Sequence, residues 1–167
     1  VTAAPLPTLR HNLVLSGDKG TTGGQSTSSA SAFLTNSAEL YKGISVNLSG
    51  GLNSTTSETG QKTDNKILNF GANLVPNSKM NINISCSGTS TKTSGGDAAS
   101  LSTKTRTTEL AMSYAPFSTL FIFTSIGIVS GTDQKTNVTQ NYAVTWSPFR
   151  DGALQFTSSY NQTLTSV

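Results

Sequence analysis

From Asn137 to Thr165 the chain alternates with a period of two. Val138, Gln140, Tyr142, Val144 and Trp146 fall on one face of the first arm, and Thr139, Asn141, Ala143, Thr145 and Ser147 on the other. The second arm sets Leu154, Phe156, Ser158, Tyr160 and Leu164 against Gln155, Thr157, Ser159, Asn161 and Thr163. Successive side chains leave a strand on opposite faces, so this is the strand pattern. Between the arms, Ser147-Pro148-Phe149-Arg150-Asp151-Gly152 combines a φ-fixing proline with Asp-Gly turn chemistry and predicts a tight turn over 148–152.

The same unit recurs upstream. Residues 1–7, with Pro5 and Pro7, read as the end of one strand and a tight turn. Arg10 to Ser16 is a short strand, and Ser26 to Leu40 a weakly patterned one. Ile44, Val46, Leu48 and Leu52 alternate with Ser45, Asn47, Ser49 and Asn53, and Leu68, Phe70, Ala72 and Leu74 with Asn69, Gly71 and Asn73. Met80, Ile82, Ile84 and Cys86 alternate with Asn81, Asn83, Ser85 and Ser87. Thr108, Leu110, Met112 and Tyr114 follow, and 120–129 is apolar on both faces. Short turns (41–43, 76–79, 116–119, 148–152) alternate with polar stretches that read as longer loops (17–25, 54–64, 88–102, 130–135). The expectation is an all-β, antiparallel up-and-down meander of about nine strands in one domain, 1–167. The repeat is about 35 residues, and its period of two excludes helical solenoids of that length.

Only 34% of the residues are hydrophobic and 11% charged; Ser, Thr, Asn and Gly fill the difference, which disfavours helices and suits strands and turns. The net charge of +3 is scattered, with no basic run among aromatics, so no nucleic-acid partner is expected. No apolar run is long enough for a helical membrane span. One cysteine, Cys86, excludes an internal disulfide and a multi-cysteine metal site. The start at Val1, with no basic and apolar leader, predicts a mature or excised segment.

Charge and aromatic placement narrow the class. Charges such as Asp18, Lys42, Lys66, Lys79, Asp97, Arg106, Asp133, Arg150 and Asp151 read as loop, turn or strand-end residues. Glu39 and Glu109 fall nearer strand bodies. A soluble antiparallel sheet carries charges on its wet face. Lipid instead clears strands of charge, because Arg or Lys near the midplane costs roughly 2–4 kcal/mol. Tyr41, Tyr114, Phe117, Trp146 and Phe149 flank the short turns, where a membrane barrel places its aromatic girdle. Short turns at one end with long polar loops at the other, and arms of roughly 10–13 residues, also suit a tilted crossing, which needs roughly 9–11.

On these residues, and on the stretch Trp146-Ser147-Pro148-Phe149-Arg150-Asp151-Gly152-Ala153-Leu154-Gln155, the chain resembles the porin-like β-barrels of Gram-negative outer membranes. The resemblance implies an outer-membrane location, membrane lipid as a partner, a transport role, and assembly as a homo-oligomer or with other outer-membrane subunits. Such barrels end on a strand with a terminal aromatic, whereas this chain ends Thr163-Leu164-Thr165-Ser166-Val167 and so reads as an internal piece of a larger barrel.

Little points to catalysis. His11, the lone histidine, reads as a surface or interface residue beside a turn, and no Ser-His-Asp arrangement can be defended on it alone. Cys86 continues an apolar face and reads as a small hydrophobe. Ser94-Gly95-Gly96 lacks phosphate-loop spacing and its lysine. Asn-X-Ser/Thr sequences at Asn47, Asn53, Asn83, Asn137 and Asn161 are near chance in such a composition. No enzyme, cofactor or metal is expected. The expected lipid-facing or girdle set is Tyr41, Tyr114, Phe117, Val138, Tyr142, Val144, Trp146, Phe149, Leu154, Phe156 and Tyr160. The expected lumen set is Asn69, Asn73, Asn81, Asn83, Ser85, Glu109, Thr145, Gln155, Thr157 and Asn161. The expected activity is a passive pore for small hydrophilic solutes. The alternatives are a surface-exposed structural or adhesive protein whose polar loops bind a partner, and a soluble secreted β-sandwich or fibre subunit.

Overall fold

An alternating chain can pair its backbone groups only with neighbouring strands, and short turns make those neighbours antiparallel. The computed structural model has this arrangement; it describes residues 2–6, 8–22, 25–95, 99–132, 134–149 and 153–166. The strands are β1 (Thr2–Leu6), β2 (Leu9–Thr22), β3 (Gln25–Tyr41), β4 (Ile44–Ser57), β5 (Lys62–Asn77), β6 (Met80–Ser94), β7 (Leu101–Phe117), β8 (Leu120–Gly131), β9 (Gln134–Trp146) and β10 (Phe156–Thr165). All lie in one sheet, in chain order, each antiparallel to the next, with β1 and β10 at the edges. The fold is an all-β meander of nine long strands preceded by the short β1, and the described residues contain no helix.

The register assigns the faces, because directly opposed residues share one. Ile44 of β4 is level with Leu74, Ile82, Met112, Thr124 and Tyr142 on the strands that follow. The row beside it reads Leu9, Ala38, Val46, Ala72, Ile84, Leu110 and Ile126. These rows build one apolar face across the sheet. Following the level of Ile44 to β9 reaches Tyr142, yet that strand runs four residues further, to Trp146, before its hairpin ends. The turns therefore step by about one residue per strand. With about 3.4 Å per residue and about 4.8 Å between strands, this stagger tilts the strands by about 30° from the perpendicular to the line of turns.

Three expectations are corrected. The stretches read as long polar loops are mostly strand. The β2–β3 ladder extends to Thr22 opposite Gln25, β4–β5 to Thr56 opposite Lys62, and β6–β7 to Thr93 opposite Leu101. Ser and Thr pair their backbones as apolar residues do. With both faces polar, however, the alternation vanishes from the sequence. The charges in these stretches, Lys62, Asp64 and Lys92 among them, therefore sit within strands and not in loops, and Lys66, Lys104 and Arg106, expected at strand ends, lie inside strands too. Lastly, the β9–β10 ladder closes at Trp146 opposite Phe156, so the strands end further apart in sequence than a turn at 148–152 requires, and Leu154 and Gln155 precede the strand. Arg150, Asp151 and Gly152 of that turn, like Pro7, Gly96, Asp97, Asp133 and Val167, lie outside the described residues.

The β3–β4 turn does keep its tight form. Gly43 has φ of 81°, a conformation glycine adopts without steric cost. A Cβ there would lie 2.4 Å from the carbonyl oxygen of Val75, whose own N–H donates to the Gly43 carbonyl at 2.6 Å.

Candidate functional site

Among the described residues no hydrophobic side chain is buried; the buried side chain is Ser125, 5% exposed. One sheet has nothing to pack its apolar face against. That face carries Leu48, Phe70, Leu110, Ile126, Ile128, Tyr142, Val144 and Trp146, all exposed. Soluble monomers rarely expose contiguous apolar patches beyond a few hundred Å². Along β6 the band runs from Met80 to Gly88, where Gly88 is level with Arg106. Eight residue steps at about 30° span about 24 Å, close to the roughly 25 Å apolar band of membrane barrels.

Register places Tyr114, Val138, Tyr142, Val144, Trp146, Phe156 and Tyr160 on this face. Tyr41 and Phe117 join it at the short-turn end, opposite Ile44 and Leu120 after a bulge in each pair. Trp146 stacks on Phe156 with centroids 5.7 Å apart and planes at 23°, and Tyr142 meets Tyr160 at 6.3 Å. Phe149 and Leu154 are exposed but lie off the strands. His11 also falls on this face, with Nδ1 hydrogen-bonded to Oδ1 of Asn36 opposite it. Cys86 sits in the row Leu48, Phe70, Cys86, Thr108 and Ile128, so its neighbours are mostly apolar.

The opposite face is mostly polar with few charges, but it also exposes the apolar row Val14, Phe33 and Ile67, and Phe121 on β8. Asn69, Asn73, Asn81, Asn83, Ser85, Glu109, Thr145, Thr157 and Asn161 all lie on it. Gln155 does not, because the ladder begins one residue later. The amides are cross-linked. Asn73 Nδ2 donates to Asn81 Oδ1 at 2.9 Å and to Asn83 Oδ1 at 2.7 Å, and Asn83 Nδ2 donates to Asn81 Oδ1 at 3.0 Å. Asn69 Nδ2 donates to Ser49 Oγ at 3.3 Å, and Asn141 Nδ2 to the buried Ser125 Oγ at 3.0 Å. Two glycines give room for larger neighbours: a Cβ at Gly51 would strike the ring of Phe33, and one at Gly71 the amide of Asn47.

Glu39 and Glu109 share this face but stand four strands apart, about 19 Å across a flat sheet. They form no acid pair. Arg10, a charge that sequence reasoning passed over, is opposite Ser37 and therefore diagonal to Glu39. Arg10 and Glu39 line one cleft of about 490 Å³ with Asn47, Asn73, Asn83 and Ser85. Glu109, opposite Ser85, has no such basic neighbour on the adjoining strands: its partner on β8 is Gly127.

A second concavity lies on the apolar face, where the band meets the polar strand extensions. It holds about 990 Å³ and is lined by Leu34, Gly50, Leu52, Leu68, Gly88, Lys66, Lys104 and Arg106 among others. Two rows build it: Leu34, Gly50, Leu68, Gly88, Arg106, and Ala32, Leu52, Lys66, Ser90, Lys104. Carrying the alternation through the Ser/Thr stretches would have revealed these cations. Among the described residues no group of three or more His, Cys, Asp or Glu is placed to hold a metal ion. No family model, curated protein or solved structure matches the chain, so the reading of these surfaces rests on their own geometry.

Proposed function

We propose that this chain forms the wall of a transmembrane β-barrel of the Gram-negative outer-membrane type, serving as a passive pore for small hydrophilic solutes. One observation carries the reading. The sheet buries none of its hydrophobic side chains among the described residues, yet gathers most of them on a single face, opposite a face dominated by amides and hydroxyls with scattered charges and a few exposed apolar residues. Lipid covers such an apolar face, and water fills the space beside the polar one. The residue-per-strand stagger supports the same reading, since closed barrels incline their strands by roughly 35–45°. The polar face offers Asn, Ser and Thr rather than a nucleophile–base set, which suits passage better than turnover.

The experiment has two parts. The full chain is transferred from denaturant into buffer with and without detergent, and the detergent-folded protein is then added to planar bilayers. Folding only with detergent, followed by discrete conductance steps, is the expected result. A monodisperse folded protein in plain buffer would refute the membrane reading in favour of a soluble β-protein. Folding in detergent without conductance would refute the pore and leave a structural or adhesive barrel. The strand extensions favour that second reading, because they project hydroxyl-rich surface beyond the apolar band.

A further inference from the structure

The cations of the apolar face are not spread over it. Lys66, Lys104 and Arg106 line the groove at one border of the band, and Lys19, Lys62 and Lys92 follow in the rows beyond. Among the described residues the acid on this face within that region is Asp64, which Lys62 holds at 3.4 Å and which stands opposite Lys92 and two residues along β5 from Lys66. Among the described residues Lys66, Lys104 and Arg106 form no ion pair. Lys66 and Lys104 flank Ser90, which puts their backbones two strands, about 10 Å, apart; Arg106 is two residues, about 7 Å, along β7 from Lys104. Long basic side chains over such spacings can converge on one phosphate. Immediately below, Gly50 and Gly88 leave gaps on either side of Leu68, which is 60% exposed. The groove thus has a cationic end and an apolar trough that runs into the band.

We propose that this groove seats an anionic lipid, its phosphate headgroup on Lys66, Lys104 and Arg106 and an acyl chain along the trough beside Leu68. The proposal rests on the membrane reading above. Charge complementarity selects the occupant. A cation on the apolar face is costly unless a counter-charge meets it at the border, and the lipid leaflet carries one at that depth. Zwitterionic lipid brings a choline or ethanolamine group that opposes the lysines. Free phosphate leaves the trough open to water.

The full chain, folded in zwitterionic detergent micelles, is titrated with dioctanoyl phosphatidic acid, dioctanoyl phosphatidylcholine or inorganic phosphate, and binding is followed by calorimetry. Each cation near an anionic headgroup contributes about fivefold, so phosphatidic acid should bind on the order of a hundredfold tighter than phosphatidylcholine. The triple variant Lys66→Gln, Lys104→Gln, Arg106→Gln should lose that preference. A triple of equal charge change elsewhere, Lys42→Gln, Lys79→Gln, Lys135→Gln, should keep it. Equal binding of the two lipids by the parent chain overturns the proposal without any variant. Equal loss in both triples reduces it to net charge, and phosphate binding as tight as phosphatidic acid removes the lipid. A chain that folds in micelles with no lipid preference refutes the groove alone, whereas one that stays folded and monodisperse without detergent refutes the membrane reading beneath it.

Discussion

Ile84 and Ser85 are adjacent in β6 and leave it on opposite faces, which makes them the sharpest test of the face assignment. Ile84 lies halfway between Met80, at the short-turn end, and Gly88, level with Arg106; it is flanked by Ala72 and Leu110. Four residues separate it from either border, about 12 Å of depth after the inclination is allowed for. An arginine that deep on a lipid face costs about 2–4 kcal/mol. Ser85 faces Gly71 and Glu109 on the polar side. An arginine there meets water and an opposite charge across the ladder, worth about 0.2–1 kcal/mol in its favour. Val144 supplies the depth control, being two residues from Trp146 at the border; Val144→Arg should cost about 1 kcal/mol, as near a membrane interface. Urea titration of the chain folded into phosphatidylcholine vesicles, read through the emission of Trp146, measures all three. The expected order of destabilisation is Ile84→Arg, then Val144→Arg, with Ser85→Arg near zero. Equal losses at positions 84 and 85 would refute the two-faced wall. Equal losses at 84 and 144 would keep the faces but refute a lipid whose hydrophobicity varies with depth.

Glu109 stands apart from the Arg10–Glu39 diagonal on the polar face, so Glu109→Gln should abolish a mild cation preference in reversal-potential measurements across a salt gradient; strong anion selectivity in the parent would defeat the lumen assignment. Gly43→Ala and Gly60→Ala both force a residue into positive φ, at about 1–3 kcal/mol. Only at Gly43 does the new Cβ also meet backbone, at 2.4 Å from the Val75 oxygen, so its urea midpoint should fall further than that of Gly60→Ala. A double-mutant cycle of Trp146→Leu and Phe156→Leu should return a coupling of about 0.5–1.5 kcal/mol for the stacked rings; additive single losses would show the stack to be incidental.

Where one face is apolar the sequence was readable. Val138 to Trp146 and Met80 to Cys86 announce their faces because every second residue is greasy, and the register keeps them together. Where both faces are polar the same backbone ladder leaves no trace. Thr89 to Ser94 therefore read as loop although each pairs with both neighbouring strands or nearly so. The charges share that ambiguity: Lys62 and Lys92 fall in stretches that read as loop and Lys66 and Arg106 at strand ends, yet Lys66 and Arg106 stand inside strands, level with Leu52 and Leu68. Arg10 was passed over because a single charge at a strand start gives no sign of its diagonal partner on the next strand. The stagger of the turns was hidden too, since it arises from pairing between hairpins and not from the pattern within any one of them.

That no hydrophobic side chain is buried among the described residues has a thermodynamic consequence. A globular domain unfolds with a heat-capacity increase of about 12–15 cal/mol/K per residue, most of it from apolar surface newly wetted. Here the apolar face is already open to whatever surrounds the sheet in the folded state. If water surrounds it, unfolding wets little more, and stability should vary only gently with temperature. If hydrocarbon surrounds it, unfolding into water wets the whole face at once, and the same chain acquires a large heat-capacity change. The curvature of the stability profile is thus set by the solvent against the sheet, and differential scanning calorimetry in micelles and in buffer would report which solvent the sequence is adapted to.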